Sequence, residues 1–311
     1  MTVSKSNYAK DWNERVLIDP YLWMAEFVSS PQELRESGER DLNFLLKALP
    51  TPLSTDKLAT AKLLDLGCGI GRLSLLAADH VHSVLGADIS ERALAIAEVY
   101  TETKSNISFT LLNGNGLSTI SGPFDIVISF ATLPHLTAQL LMIYLTDIHN
   151  LLEVNGVALL QLYTGDEHQF QESDTFSLRS YTEQKLLDTL GAIGFTDAQL
   201  FPLELPFDGV DRIYNRHPVL VRVHRSKSAP AAAPHVSTLI SGDDAETSQT
   251  SGQGPRDEEG LLLREVNNHL AQHNLKDAHK LLKYLISSTK EPPFEVIEAF
   301  EKIEEALEED D

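Results

Sequence analysis

Between residues 61 and 225, short apolar runs bounded by Gly, Asp and Asn alternate with stretches in which apolar residues recur every three or four positions. The runs predict strands at AKLLDL (61–66), VHSVLGAD (81–88), ISFTLL (107–112), FDIVISF (124–130), GVALLQLY (156–163), FTDAQLF (195–201) and PVLVRVH (218–224). The periodic stretches predict helices over 71–79, 90–101, 137–152 and 181–193, the last carrying Tyr181, Leu186, Leu187, Leu190 and Ile193 at helical spacing. Strand and helix in alternation imply βαβ units, hence an α/β fold with a largely parallel sheet and helices on both faces.

The flanks read differently. Residues 7–49 carry Trp12, Leu17, Tyr21, Trp23, Met24 and Phe27, then Leu34, Leu42, Leu45, Leu46 and Leu49, a pattern for two or three helices that cap the sheet domain from residues 1–50. Residues 226–256 are rich in Ala, Pro, Ser, Thr and Gly, with few large apolar groups to offset the entropy of ordering, and are expected to be a disordered linker. Beyond it, 257–311 predicts three helices. Val296, Phe300, Ile303 and Leu307 form an apolar stripe on the last of them, and HLAQHNLKDAHKLLKYLI resembles a tetratricopeptide helix hairpin. That stripe points to self-association, a protein partner or docking on the main domain.

Composition narrows the function. A net charge of −21, with 25 Lys+Arg against 46 Asp+Glu, argues against nucleic acid and anionic membranes as partners. Residues 291–311 concentrate the acidity, with ten acids and one lysine. No apolar run approaches the roughly 20 residues of a membrane span, and the first residues lack the apolar stretch of a secretory signal, so the expectation is a cytoplasmic protein. The single cysteine, Cys68, rules out an internal disulfide framework and a Cys-rich zinc site. His269 and His273 stand four apart, with His279 further on, but bring no nearby carboxylate on their face, so no metal site is expected.

The chemistry concentrates in LLDLGCGIGR (63–72), a Gly-rich turn directly after a predicted strand and directly before a helix. Glycine admits backbone torsions and ligand approach that a Cβ would block, and the helix start offers unpaired N–H groups. Gly67, Gly69 and Gly71 make G-x-G-x-G. A dinucleotide fingerprint would need glycine where Arg72 stands, and the Lys of a nucleoside triphosphate loop is absent.

This stretch resembles the first motif of the class I S-adenosylmethionine-dependent methyltransferases, and further landmarks follow in order over residues 61–225. The resemblance implies a Rossmann-like domain at 51–225 with a seven-stranded, mostly parallel sheet, and S-adenosylmethionine as cofactor. By that resemblance Asp65, Gly67, Cys68, Gly69, Gly71, Arg72, Asp88, Ile89, Asn115 and Gly116 hold the cofactor. Asp88, ending the second strand, would grip the ribose hydroxyls, since a carboxylate accepts two protons at once. Asn115, in NGNG, stands where the family often has an acid at the adenine edge. His135, in FATLPHL, occupies the place past the fourth strand where many relatives carry His, and is the candidate catalytic residue. Tyr163, His168, Asp208 and Arg212 lie on segments expected to cover the acceptor. The opening W…DP pattern followed by ESGERDLNFLL is similar to the lid of bacterial methyltransferases acting on small molecules or glycans. The implied activity is methyl transfer to an O or N atom of a small molecule or glycan; the alternative is a methyltransferase-like scaffold acting through its C-terminal helices.

Overall fold

The computed structural model describes residues 7–18, 20–21, 28, 30–50, 55–167, 175–176, 178–203 and 215–226, and isolated positions between 266 and 303. The chain divides into two compact units, residues 1–204 with 216–241, and residues 205–215 with 242–311. In the second unit Val266, Ala278, Leu282, Val296 and Ile303 are buried, and the His279 and Phe300 rings stack with centroids 4.5 Å apart. Three of the four stripe residues are therefore described there; Leu307, most of the linker, His269 and His273 lie outside the described residues.

The first unit begins with helices α1 (Asn7–Ile18), α2 (Pro31–Ala48) and α3 (Thr55–Thr60). Then β1 (Lys62–Leu66), α4 (Arg72–Ala77), β2 (Ser83–Asp88), α5 (Glu91–Tyr100), β3 (Ile107–Leu111) and β4 (Phe124–Ser129) alternate. A 3-10 turn (Leu133–His135) leads into α6 (Ala138–Leu151), followed by β5 (Leu152–Gly165), α7 (Glu183–Ile193), β6 (Phe195–Pro202) and β7 (Arg216–Arg225). All seven predicted strands and all four predicted helices of the domain are present. β5 starts four residues earlier than the apolar run suggested, because Leu152 leaves α6 directly into pairing with Phe124 and is fully buried.

The sheet order is β3-β2-β1-β4-β5-β7-β6. Every neighbour pair is parallel except β5–β7 and β6–β7, so the sheet is mixed at one side only. Alternation along each buried strand divides the core. Leu64, Leu66 and Val127 face the cluster built with Leu141, Leu145 and Ile148 of α6 and Leu186 and Leu190 of α7. Leu63, Ile126 and Ile128 face the other cluster, with Leu42 and Leu45 of α2 and Leu73 and Ala77 of α4. Side-chain caps punctuate the helices: Ser30, Ser90 and Thr182 accept the N–H of Glu33, Ala93 and Lys185. The chain winds outward from β1 to β3 on one side and from β4 to β5 on the other. This reversal opens a crevice beyond the carboxyl ends of β1 and β4, where doubly wound sheets bind ligands.

Candidate functional site

The crevice is a solvent-open cavity of about 960 Å³. Its floor is the turn after β1. Gly67 (φ +75°) is required there twice over: its torsion is left-handed, and a Cβ would fall 1.9 Å from Thr132 Oγ1 in the loop after β4. The Gly67 and Cys68 amides both donate to the Ala87 carbonyl (2.7 and 3.2 Å), tying the turn to the end of β2. Gly69 N–H donates to Asp88 Oδ2 (2.9 Å), and Ser90 N–H to Asp88 Oδ1 (2.8 Å). Two backbone donors thus orient the Asp88 carboxylate at the cavity wall, leaving lone pairs for a ligand. Burial pushes the Asp88 pKa up, and the amides of Ser90, Gly69 and Ile89 pull against it.

Asp65, 2 % exposed, accepts from Ser74 Oγ (2.6 Å), so it braces β1 against α4 while edging the cavity. Burial raises its pKa to about 6, against the pull of Ser74 and Arg72. Arg72 also borders the cavity, but its guanidinium turns to α2, with Nη1 2.5 Å from Asp41 Oδ2 and 3.3 Å from Ser37 Oγ. The side chain that breaks the dinucleotide fingerprint is accommodated because α2 supplies a buried carboxylate for it. Cys68 is buried, and burial, with Asp88 and Asp65 adding to it, pushes its thiol well up, the surroundings of a packing residue.

The far wall departs from expectation. Ile89, Leu112 and Gly114 line the cavity, whereas Asn115 is exposed and Gly116 packs on Asp147. Local bonds explain it: Asn113 Oδ1 accepts the Asn115 amide (2.9 Å), and Asp147 Oδ2 accepts the Leu117 amide (2.7 Å), which turns the backbone away after Gly114. Gly71, the N-cap of α4, also lies off the cavity, facing Thr101 and Ala97. Of the ten residues the resemblance assigned to the cofactor, seven therefore meet at the cavity, and Gly71, Asn115 and Gly116 do not.

The cover comes from residues distant in sequence. Tyr8, Trp12 and Val16 of α1 line the cavity opposite Phe130, Ala131, Thr132, His135, Leu136, Leu140 and Tyr144. Tyr8 Oη donates to the His135 carbonyl (2.8 Å), which also accepts from Arg179 Nη1 (2.5 Å). The His135 ring meets Trp12 edge-on (5.2 Å) and stacks on Phe176 (5.8 Å), and its Nδ1–H donates to the Phe176 carbonyl. A carbonyl only accepts, so the neutral ring carries its proton on Nδ1 and its lone pair on Nε2. Further bonds seat α1: Thr175 Oγ1 donates to Asp11 and accepts from Arg15, and Asn13 Oδ1 accepts from Ser90 Oγ and the Arg92 amide. Arg15 lies over both the Trp12 and Phe176 rings.

The candidate His135 thus sits in the site. Tyr163 does not: it is buried in β5 under the Arg216 guanidinium. His168, Asp208 and Arg212 lie outside the described residues. The sequence reading missed Tyr8, Leu112, Gly114, Phe130, Thr132 and Tyr144, and took Trp12 only as a cap residue. Tyr144 carried a signal, since it follows Leu136 and Leu140 at helical spacing, but that signal is shared with every core residue of α6. Among the described residues no group of three or more His, Cys, Asp and Glu gathers as a metal site, and no helix is long and apolar enough to cross a membrane.

Known proteins give this arrangement a context. Residues 63–156 match the family described as a methyltransferase domain. The match spans the glycine turn, Asp88 and His135. The ubiquinone biosynthesis O-methyltransferase of Rhizobium johnstonii is 33 % identical over 85 residues, covering 27 % of this chain and 34 % of that protein. The ribosomal protein L11 methyltransferase of Thermosipho africanus is 25 % identical over 170 residues, covering 50 % of this chain and 63 % of that protein. The chain thus spans about a third of the ubiquinone relative's length. Among solved structures, phosphoethanolamine N-methyltransferase 1 of Haemonchus contortus, in complex with phosphoethanolamine and S-adenosylhomocysteine, superposes with a TM-score of 0.54 at 16 % identity, over 77 % of this chain and 53 % of that one. Magnesium protoporphyrin IX methyltransferase of Synechocystis, with bound S-adenosylmethionine, gives 0.52 at 16 % identity, over 73 % and 98 %. These two likenesses establish the shared Rossmann-like fold.

Proposed function

We propose that this protein transfers a methyl group from S-adenosylmethionine to an oxygen or nitrogen atom of a small-molecule acceptor. The observation that carries the reading is the Asp88 carboxylate, held by the Gly69 and Ser90 amides at the edge of a cavity floored by the glycine turn, within a segment that matches a methyltransferase domain. The cofactor fits these residues: Asp88 retains lone pairs for two ribose hydroxyls, and Ile89 and Leu112 offer apolar surface to the base at a cavity open to solvent. The relatives named for ubiquinone biosynthesis and magnesium protoporphyrin support a small-molecule acceptor.

When bound, the cofactor supplies a methyl group on a positively charged sulfur. The chain supplies position and dryness. Asp88, Gly67 and Gly69 fix the nucleoside; Tyr8, Trp12 and Phe130 exclude water from the acceptor side. His135, its ring held by Phe176 and Trp12 at the cavity wall, is the candidate to take the proton that an O–H or N–H acceptor gives up. Calorimetry with S-adenosylhomocysteine tests the cofactor and a lysate given deuterated-methyl S-adenosylmethionine tests turnover; no heat and no label together overturn the reading.

A further inference from the structure

Tyr144 is 3 % exposed and lines the cavity from α6, its ring packed in the apolar cluster beneath that helix. No protein group among the described residues hydrogen-bonds its hydroxyl, which is nevertheless not one of the polar atoms sealed without a partner in the core; it therefore opens on the cavity. A hydroxyl so placed can bond whatever occupies the cavity, and a ligand that covers it there has to meet that bond. Its location says which part of the ligand it meets. Leu136, Leu140 and Tyr144 succeed one another on one face of the chain into α6, and one turn further Asp147 holds the Leu117 amide. Tyr144 thus lies toward the turn after β3, close enough to Asp88, Asp147 and Tyr8 to feel their charges. Burial, reinforced by those groups, raises its pKa, so the hydroxyl stays protonated.

Resting on the methyltransferase reading, in which Asp88 holds the ribose, we infer that Tyr144 binds the adenine base of the cofactor by a hydrogen bond from its hydroxyl. Substituting Y144F keeps the ring and its packing, so the fold is preserved. In calorimetry on the full chain, Y144F weakens S-adenosylhomocysteine and adenosine alike by about three- to tenfold, with the unliganded melting temperature unchanged. Loss toward S-adenosylhomocysteine with none toward adenosine would move the bond off the nucleoside, and no loss toward either would remove it; both outcomes overturn the assignment. A wild-type chain that binds S-adenosylhomocysteine while Y144F binds it equally breaks only this inference, whereas a wild-type chain that does not bind it breaks the methyltransferase reading as well.

Discussion

The two walls of the cavity are built by opposite means. The nucleoside wall is local: Asp65, Gly67, Gly69 and Asp88 come from β1, its turn and the end of β2, and backbone amides do most of the holding. The cover is assembled from α1, the loop after β4 and the segment around Phe176 and Arg179, joined by side-chain contacts such as Tyr8 to His135, Trp12 to His135 and Arg15 to Thr175. A wall of backbone bonds tolerates little change in shape but almost any change in exposed side chain. A wall of side-chain contacts can be retuned one residue at a time, which suits the surface proposed to meet the acceptor.

Arg72 joins the two constructions, since it starts α4 behind the glycine turn and is paired with Asp41 of the capping helix. Arg72→Ala removes the buried partner of Asp41, leaving that carboxylate only the half-exposed Arg40 beside it on α2, and is expected to cost about 3–5 kcal/mol in urea unfolding, the largest effect of the set. The Arg72→Met, Asp41→Leu double variant should recover most of that loss; failure to recover would mean that the pair is not what holds α2 to α4. Within the nucleoside wall, Gly67→Ala should cost about 2–5 kcal/mol, combining roughly 1–2 for a left-handed torsion with roughly 1–3 for the clash on Thr132. Thermal and denaturant melts would show it, and a neutral result would place the turn in another conformation.

Two milder changes separate the walls by function. Asp88→Ala should lower S-adenosylhomocysteine affinity by about 1.5–3 kcal/mol in calorimetry, the scale of hydrogen bonds to a charged partner, while the chain stays folded. Equal affinity would mean that the ribose is held elsewhere. Tyr8→Phe removes one bond to the His135 carbonyl and should cost about 0.5–1.5 kcal/mol of stability, with nucleoside affinity unchanged within about twofold. If Tyr8→Phe weakens adenosine as much as Asp88→Ala does, the division into two walls is wrong.

What the sequence by itself determined is the local half. Short apolar runs bounded by Gly, Asp and Asn placed all seven strands, and three closely spaced glycines between strand and helix marked the turn that floors the cavity, because torsion and local pattern are properties of neighbouring residues. Asp88 was legible through the family resemblance, as the acid that ends the second predicted strand. Tertiary structure alone decided the rest. It turned Arg72 from a candidate ligand contact into an ion-pair partner by bringing Asp41 across from α2. It chose Leu112 and Gly114 over Asn115 and Gly116 through a bond from Asp147, far along the chain. It left Leu141 wholly in the core and brought Tyr144, one turn on in the same apolar cluster, to the cavity edge as well, a distinction that depends on what lies beyond that end of the cluster and that no pattern of apolar residues encodes.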